Sequence, residues 1–393
     1  MLKFGTSNRT RQKYLRSFVV AFALFALTLS YASVSFGQDA TPEATAPVDV
    51  VAQAIANTAK NTAPITEWAG PTSGPTIESG KKVVFVAIDM NNPAVKSWAD
   101  AVTAAAQSVG WEVTVLDGKG TTDAQLQAMN QAIALQPDGI VTGAIQTDLF
   151  AGAYADAKAA GIPIVGIHST TDAGAFPDDG LFWNVAQSTA EIGHALADYV
   201  IADSNGAGIG YVLTDHTYAI SVAKSDAEVE RFQECTGCTL VDYANSPLAE
   251  VTTRIAPLFT SWVQNQGSNP FYVMTIADYY YDFAVPALTA GGVAPDQVKL
   301  VGADGTASAY QRIREGDQYQ VATVPAPLEL QGYQAVDELN RAMHGEEPSG
   351  WVLPVYVVTK DNIDLEGGDQ NLFIPSNDYK QHYADIWATG STQ

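Results

Sequence analysis

Basic residues are scarce in this chain: 20 lysines and arginines face 43 aspartates and glutamates, for a formal net charge of −23. Such a field repels a polyanion, and no basic stripe with interleaved aromatics interrupts it, so nucleic acid is excluded as a partner. Cysteine is scarcer still, with only Cys235 and Cys238 in 393 residues. Five histidines (His168, His194, His216, His344 and His382) show no metal-ligand spacing, and two cysteines cannot complete a zinc site with them, so no metal and no cofactor is expected. The Cys-Thr-Gly-Cys stretch follows a predicted helix and precedes a strand, the reverse of a redox motif. In an oxidising compartment the pair is expected to close a disulfide that staples a turn. No serine sits in a nucleophile-elbow sequence. The glycines of the run from Gly206 to Gly210 precede a strand, whereas phosphate-binding glycines must follow one and open a helix. With no catalytic constellation, the sequence reads as a non-enzyme.

Long apolar runs are also missing. Phe18 to Leu29 covers 12 residues, against the ~20 needed to span a bilayer. Lys3, Arg9, Arg11, Lys13 and Arg16 precede this run without an acid, and the small residues from Ser33 to Gly37 follow it. Residues 1–37 are therefore expected to be a secretory signal peptide cut before Gln38, with a retained amino-terminal anchor as the rival reading. Its removal leaves 15 cations against 43 acids. Residues 38–80 are rich in Ala, Thr and Pro, with one amphipathic stretch from Val50 to Ala59. They read as a leader: Pro71, Gly74, Pro75 and Gly80 oppose regular structure, and Trp68 is expected to anchor the segment onto a lobe.

What the sequence has in abundance is one repeated unit. Lys81 to Gly118 holds an apolar β-branched strand (Val83 to Ile88), a turn rich in Asn and Pro, a helix and a second strand from Glu112. Val95, Trp98, Ala99, Val102, Ala106 and Val109 form that helix's buried stripe, and Gly110 ends it. Strands at 139–142, 163–167 and 182–185 alternate with helices at 122–135, 150–160 and 189–202. A second series runs from Gly208: strands to Leu213 and at 239–243, 271–276 and 298–303, with helices at 221–234, 251–265, 280–290 and 307–315. A strand to Val324, a helix at 328–343 and a strand at 352–358 follow, and the chain after Lys360 reads as mostly irregular. With 47% hydrophobic residues and a length beyond one core, two α/β lobes are expected, each a doubly wound parallel sheet, with a ligand between them.

Polar residues recur at the strand ends where such sheets bind ligands: Asp89, Asn91 and Asn92; Gln146 and Asp148; His168 and Ser169; Asp215, His216 and Tyr218; Asp278 and Tyr279; and Asp304. Hydroxyl groups both donate and accept, and carboxylates, amides and aromatic faces suit a polyhydroxylated ligand. Turns and helix caps explain any one of these residues alone; their number favours a binding site. Of the run Tyr279, Tyr280 and Tyr281, Tyr279 is expected to face the cleft and at least one other the core. Trp183 is either a stacking ring or a core residue.

These stretches resemble a known family. The strand followed by MNNPAVKSWADAV, then GWEVTVLDG, QPDGIVTGA, AGIPIVGI and KLVGADGTASAYQRIREG, is similar to the periplasmic sugar-binding proteins of ABC transporters, the ribose-binding-like type I group. The resemblance covers about Lys81 to Asp364. It implies two Rossmann-like lobes joined by a three-stranded hinge with crossovers near Ala186, Val324 and Tyr356. Lobe 1 would comprise 81–186 with 325–356, lobe 2 would comprise 187–324 with 357–365, and 366–393 would form a tail. It also implies a periplasmic monomer that binds a monosaccharide or polyol and hands it to an ABC permease in the inner membrane. A sensory receptor serving a chemoreceptor or histidine kinase is the rival function. The family's first-loop asparagine matches Asn92, and its two second-lobe carboxylates match Asp278 and Asp304. The chain departs from the pattern at Ala94 and Val95 (two aromatics in the family), at His168 and Ser169 (an Asp-Arg pair) and at Ala277 (a polar residue). Lys224 is the cation nearest to the arginine expected before Phe232.

Overall fold

The computed structural model describes residues 49–391, and the expected signal peptide lies outside them. The described chain opens with α1 (Val50–Thr62), capped by the Asp49 carboxylate, which accepts from the Val51 and Ala52 N–H groups. The amphipathic stretch in the leader is thus a formed helix. It lies against α5 (Thr189–Asp203), with Ala54 fully buried and Asn57 Nδ2 donating to Asp198 Oδ2 at 2.8 Å.

One sheet holds β1 (Lys82–Ala87), β2 (Glu112–Asp117), β3 (Gly139–Gly143), β4 (Ile164–Ile167), β5 (Gly174–Phe176) and β6 (Leu181–Val185). Its order is β2-β1-β3-β4-β6-β5, parallel except for β5, which runs against β6. Helices α2 (Pro93–Ser108), α3 (Thr122–Ala134) and α4 (Ala151–Ala159) join the strands. β1 sits inside the sheet, with Phe85 opposite both Val115 and Val141, which explains its unbroken apolar run. Val83, Phe85 and Ala87 pack on the α2 side, while Val84 and Val86 join the cluster that includes Met129 and Tyr154. Burying one such phenylalanine contributes about 1.5–3 kcal/mol.

The second sheet holds β7 (Ile209–Thr214), β8 (Thr239–Asn245), β9 (Phe271–Thr275), β10 (Val298–Asp304), β11 (Gln320–Pro325) and the short antiparallel β12 (Val358–Thr359), ordered β12-β11-β10-β9-β7-β8. α6 (Ala219–Gln233), α7 (Val251–Gln266), α8 (Tyr281–Ala290) and α9 (Ala307–Glu315) connect its strands. α5 and α6 pack closely because Gly193 has no side chain: a Cβ there would meet the Lys224 carbonyl at 2.4 Å. The Cys235–Cys238 disulfide staples the turn between α6 and β8. α10 (Leu328–His344) returns to the first lobe and packs on α2, where Gly332 allows contact with Ala101. The molecule is thus two α/β lobes, each built on a six-stranded, mostly parallel sheet.

Two expectations fail near the carboxyl end. Val352 to Val358 is not a strand: Pro354 lacks a donor, and Leu353 makes only a single bridge to Gln187 before the chain reaches β12. Residues 361–378 of the tail are turns and one short 3-10 helix, as expected, but α11 (Tyr379–Thr389) was not, and it buries Tyr383, Ile386 and Trp387 in the first lobe's core. Among the described residues the chain passes between the lobes five times. Three passes are the segments after β6, after β11 and before β12, tied together by Gln187 Nε2, which donates to the Pro325 and Pro354 carbonyls. A fourth is the leader. Asn61 O accepts from Val357 N–H beside the second lobe, whereas Trp68 stacks on His382 with ring centroids 5.0 Å apart against the first. The fifth is the tail, which Arg314 of α9 holds at Gly368 and Asn371 before α11 docks on the other lobe.

Candidate functional site

The carboxyl ends of β4 and β10 carry two side chains on strained backbone. His168 sits at φ 52° and Asp304 at φ 90°, a region that β-carbon sterics disfavour and that recurs at ligand-binding positions. Between them lies Lys224, one turn into α6 and 9% exposed, with its Nζ 3.6 Å from Asp304 Oδ1. Burial, and then the charge of Lys224, push the His168 imidazole down to about 3, so it is neutral at physiological pH. A residue of the second lobe is thus felt by one of the first. Gln146 braces the histidine from below, donating to its carbonyl at 3.0 Å.

Four predicted residues (Gln146, His168, Lys224 and Asp304) come together here. Others do not. Asp278 is fully buried, and its carboxylate is consumed: Oδ2 accepts from Gly305 N–H (2.9 Å), Thr306 N–H (3.2 Å) and Thr323 Oγ1 (2.8 Å), and Oδ1 from Gln320 Nε2 (2.6 Å). Expected as a ligand contact, it is instead the peg on which the turn after Asp304 hangs. Burial pushes its carboxyl up to about 7, while Thr323, Arg312 and Gln320 pull it back. Asp215 is similarly spent, accepting from Thr217 N–H and Leu248 N–H with 1% exposure. Trp183 is 6% exposed and packs in the first lobe's core, with its Nε1 buried and without a hydrogen-bond partner among the described residues. At the first loop Asn92 caps α2 through Ala94 N–H, and Asn91 donates to Asp89 Oδ1, so the loop's polar groups largely satisfy one another. Tyr218 and Tyr279 are exposed rings, Tyr279 edge-on to Phe283, while Tyr280 and Tyr281 are buried.

Sequence reasoning missed three residues. Trp98 stacks on His168 with centroids 5.1 Å apart and an interplanar angle of 18°, supplying an aromatic wall one turn beyond Ala94 and Val95. Gln331 of α10 bridges these two rings, accepting from Trp98 Nε1 at 2.6 Å and reaching His168 Nε2 at 3.0 Å. Glu228 lies one turn below Lys224, fully buried, with neither oxygen hydrogen-bonded to protein. Burial raises its pKa well above normal, against the pull of Lys224. The i, i+4 spacing of Lys224 and Glu228 was the available signal. Among the described residues no group of three or more His, Cys, Asp or Glu is placed to hold a metal, and no helix is long and apolar enough to cross a membrane.

A model of the periplasmic binding protein domain matches residues 83–347, more than half of the chain. The chain belongs to the periplasmic binding protein family. That family consists of binding proteins, and the match runs from β1 through α10, leaving α1 and α11 outside. Many solved structures share this type I periplasmic binding protein fold. The Caulobacter myo-inositol binding protein aligns at TM-score 0.64 and 20% identity, over 75% of this chain and 99% of its own. The binding component of the arabinose ABC transporter from Shewanella sp. ANA-3 aligns at 0.62 and 18%, over 71% and 92%. An ABC transporter solute-binding protein from Agrobacterium vitis with bound allitol aligns at 0.62 and 18%, over 73% and 97%. Comparison with curated protein sequences gives no match.

Proposed function

We propose that this periplasmic binding protein is an exported receptor that holds a sugar or polyol between its lobes and delivers it to an ABC permease. The observation that carries this reading is the convergence of His168, Lys224 and Asp304 from the two lobes, with two of the three on strained backbone. A neutral imidazole backed by Trp98, an ammonium and the Asp304 carboxylate that partly neutralises it supply donors and acceptors without excess charge. The bound molecules named for its structural neighbours, L-arabinofuranose, myo-inositol and allitol, are all polyhydroxylated and uncharged. Export rests on the basic, apolar and small-residue segments of residues 1–37.

The test is thermal unfolding against a panel of pentoses, hexoses, furanoses, inositols and linear polyols. A ligand at 100 times its Kd stabilises by ~2.7 kcal/mol. At 2–4 °C per kcal/mol, the true ligand raises Tm by about 5–10 °C. A panel in which no member shifts Tm overturns the reading.

A further inference from the structure

We propose that Trp98 and Gln331 are positioning residues that lock His168 in one tautomer, so that the site presents this ring to its ligand through Nδ1–H as a donor and never as an acceptor. The tautomer is set without reference to the ligand, because one group in the chain has no choice of role. An indole N–H can only donate. Trp98 Nε1 donates at 2.6 Å, so its partner on Gln331 is the carbonyl oxygen. The Gln331 amide nitrogen therefore faces His168 Nε2, 3.0 Å away. An amide nitrogen also only donates, so Nε2 must accept and the imidazole proton resides on Nδ1. That nitrogen has no protein partner among the described residues, and it is absent from the buried atoms left without one, so it stays accessible.

The surroundings hold the ring in this state. Gln331 is fully buried and Trp98 7% exposed, so water does not compete for the relay. Trp98 also lies nearly parallel to the imidazole and fixes its plane. Protonating His168 would place an N–H on Nε2 against the amide N–H of Gln331, two donors face to face. The one charged group whose field reaches the ring is Lys224, whose ammonium opposes protonation; of the carboxylates around Lys224, Asp304 is paired with it and buried Glu228 is pushed toward its neutral form. Lys224 and His168 thus approach the ligand from opposite lobes, both as donors. The ligand chemistry they fit is an oxygen with free lone pairs, such as a hydroxyl or ring oxygen that accepts from both lobes. This choice of ligand atom rests on the receptor reading above; the tautomer does not.

The experiment is 15N NMR of uniformly labelled, ligand-free protein, with long-range couplings from the ring carbon-bound protons identifying the protonated nitrogen of each of the five histidines. His168 is expected as the Nδ1–H form with no titration above pH 5. An Nε2–H form, or a midpoint above pH 6, overturns the proposal whether or not any sugar binds. Gln331→Glu supplies the second arm. Its carboxylate accepts from both Trp98 and His168 Nε2–H, so the proton is expected to move to Nε2 and the imidazole to titrate at a higher pH. Affinity for whichever panel polyol binds the wild type should fall roughly tenfold as the donor becomes an acceptor, and should become pH-dependent. Gln331→Met keeps the volume without the relay. If its His168 remains purely Nδ1–H, Gln331 does not set the tautomer and the proposal fails. A polyol panel that binds nothing, with His168 in the Nδ1–H form, removes the receptor reading and supports the relay.

Discussion

Replacing Asp278 with alanine separates two roles that a buried carboxylate beside a binding site can play. In the structure it is an internal acceptor for four donors and has no exposed surface. The Thr323 hydroxyl and the Gln320 amide can turn to other partners, but the N–H groups of Gly305 and Thr306 are fixed by the turn. Two orphaned, part-buried donors cost about 1–3 kcal/mol each, so Asp278→Ala should destabilise by about 4 kcal/mol. At 2–4 °C per kcal/mol this lowers Tm by about 8–16 °C. Because the same donors hold the turn after Asp304, affinity should fall as a secondary effect. Unfolding scans and titration calorimetry on one preparation read both quantities. A variant that melts within ~2 °C of wild type yet binds at least tenfold more weakly would refute this reasoning, because that pattern belongs to a ligand contact.

Asp304→Asn keeps a residue tolerant of positive φ but removes the charge, so Tm should stay within ~2 °C while affinity drops by roughly an order of magnitude in calorimetry. Burial holds the Glu228 carboxyl well above the ordinary glutamate range, so the native state keeps a proton that the unfolded chain releases. Its contribution is intact at pH 4 and is lost as pH rises through that window. Glu228→Gln should therefore flatten the decline of Tm from pH 5 to pH 8 and stabilise the protein at pH 8, and an unchanged slope would show that this group does not titrate there. Trp68 packs against Trp351, His382 and Tyr383, so Trp68→Ala should cost about 2 kcal/mol and open residues 63–80 to limited proteolysis, which a time course on gels would show.

The βα grammar was legible because strands covered on both faces carry unbroken apolar runs and helices carry stripes at three- and four-residue spacing; β1 and α2 show both cases. Asp278 and Asp304 mark where local reading stops. Both are aspartates at the ends of neighbouring strands, and what separates a spent carboxylate from a free one is the set of donors brought from Gly305, Gln320 and Thr323, which no window on the sequence contains. Trp98 and Gln331 pair across 233 positions, and neither lies at a strand end, where open α/β sheets carry their ligand groups. The apolar run from Val352 resembled a strand because β-branched residues cross the hinge there, and only the missing partners reveal otherwise. Asp378 stands where a capping residue should but makes no side-chain cap bond, so α11 is held by its packing on the first lobe, which no local pattern shows.

The leader and the tail also bear on how far this molecule can move. A joint made of three single crossing segments bends easily in many directions. Here two further tethers run beside it. The leader has only Thr66 and Glu67 between its last hold near the second lobe, where Ile65 N–H donates to Glu366 Oε1 and the Ile65 side chain packs beside Tyr310 and Ile313, and the ring of Trp68. The three residue steps from Ile65 to Trp68 reach no more than about 11 Å when extended. That length caps the arc over which the two halves can swing apart unless an anchor lets go, whatever occupies the space between them. Shortening or cutting this tether would change the amplitude of the motion without altering any surface that a ligand touches.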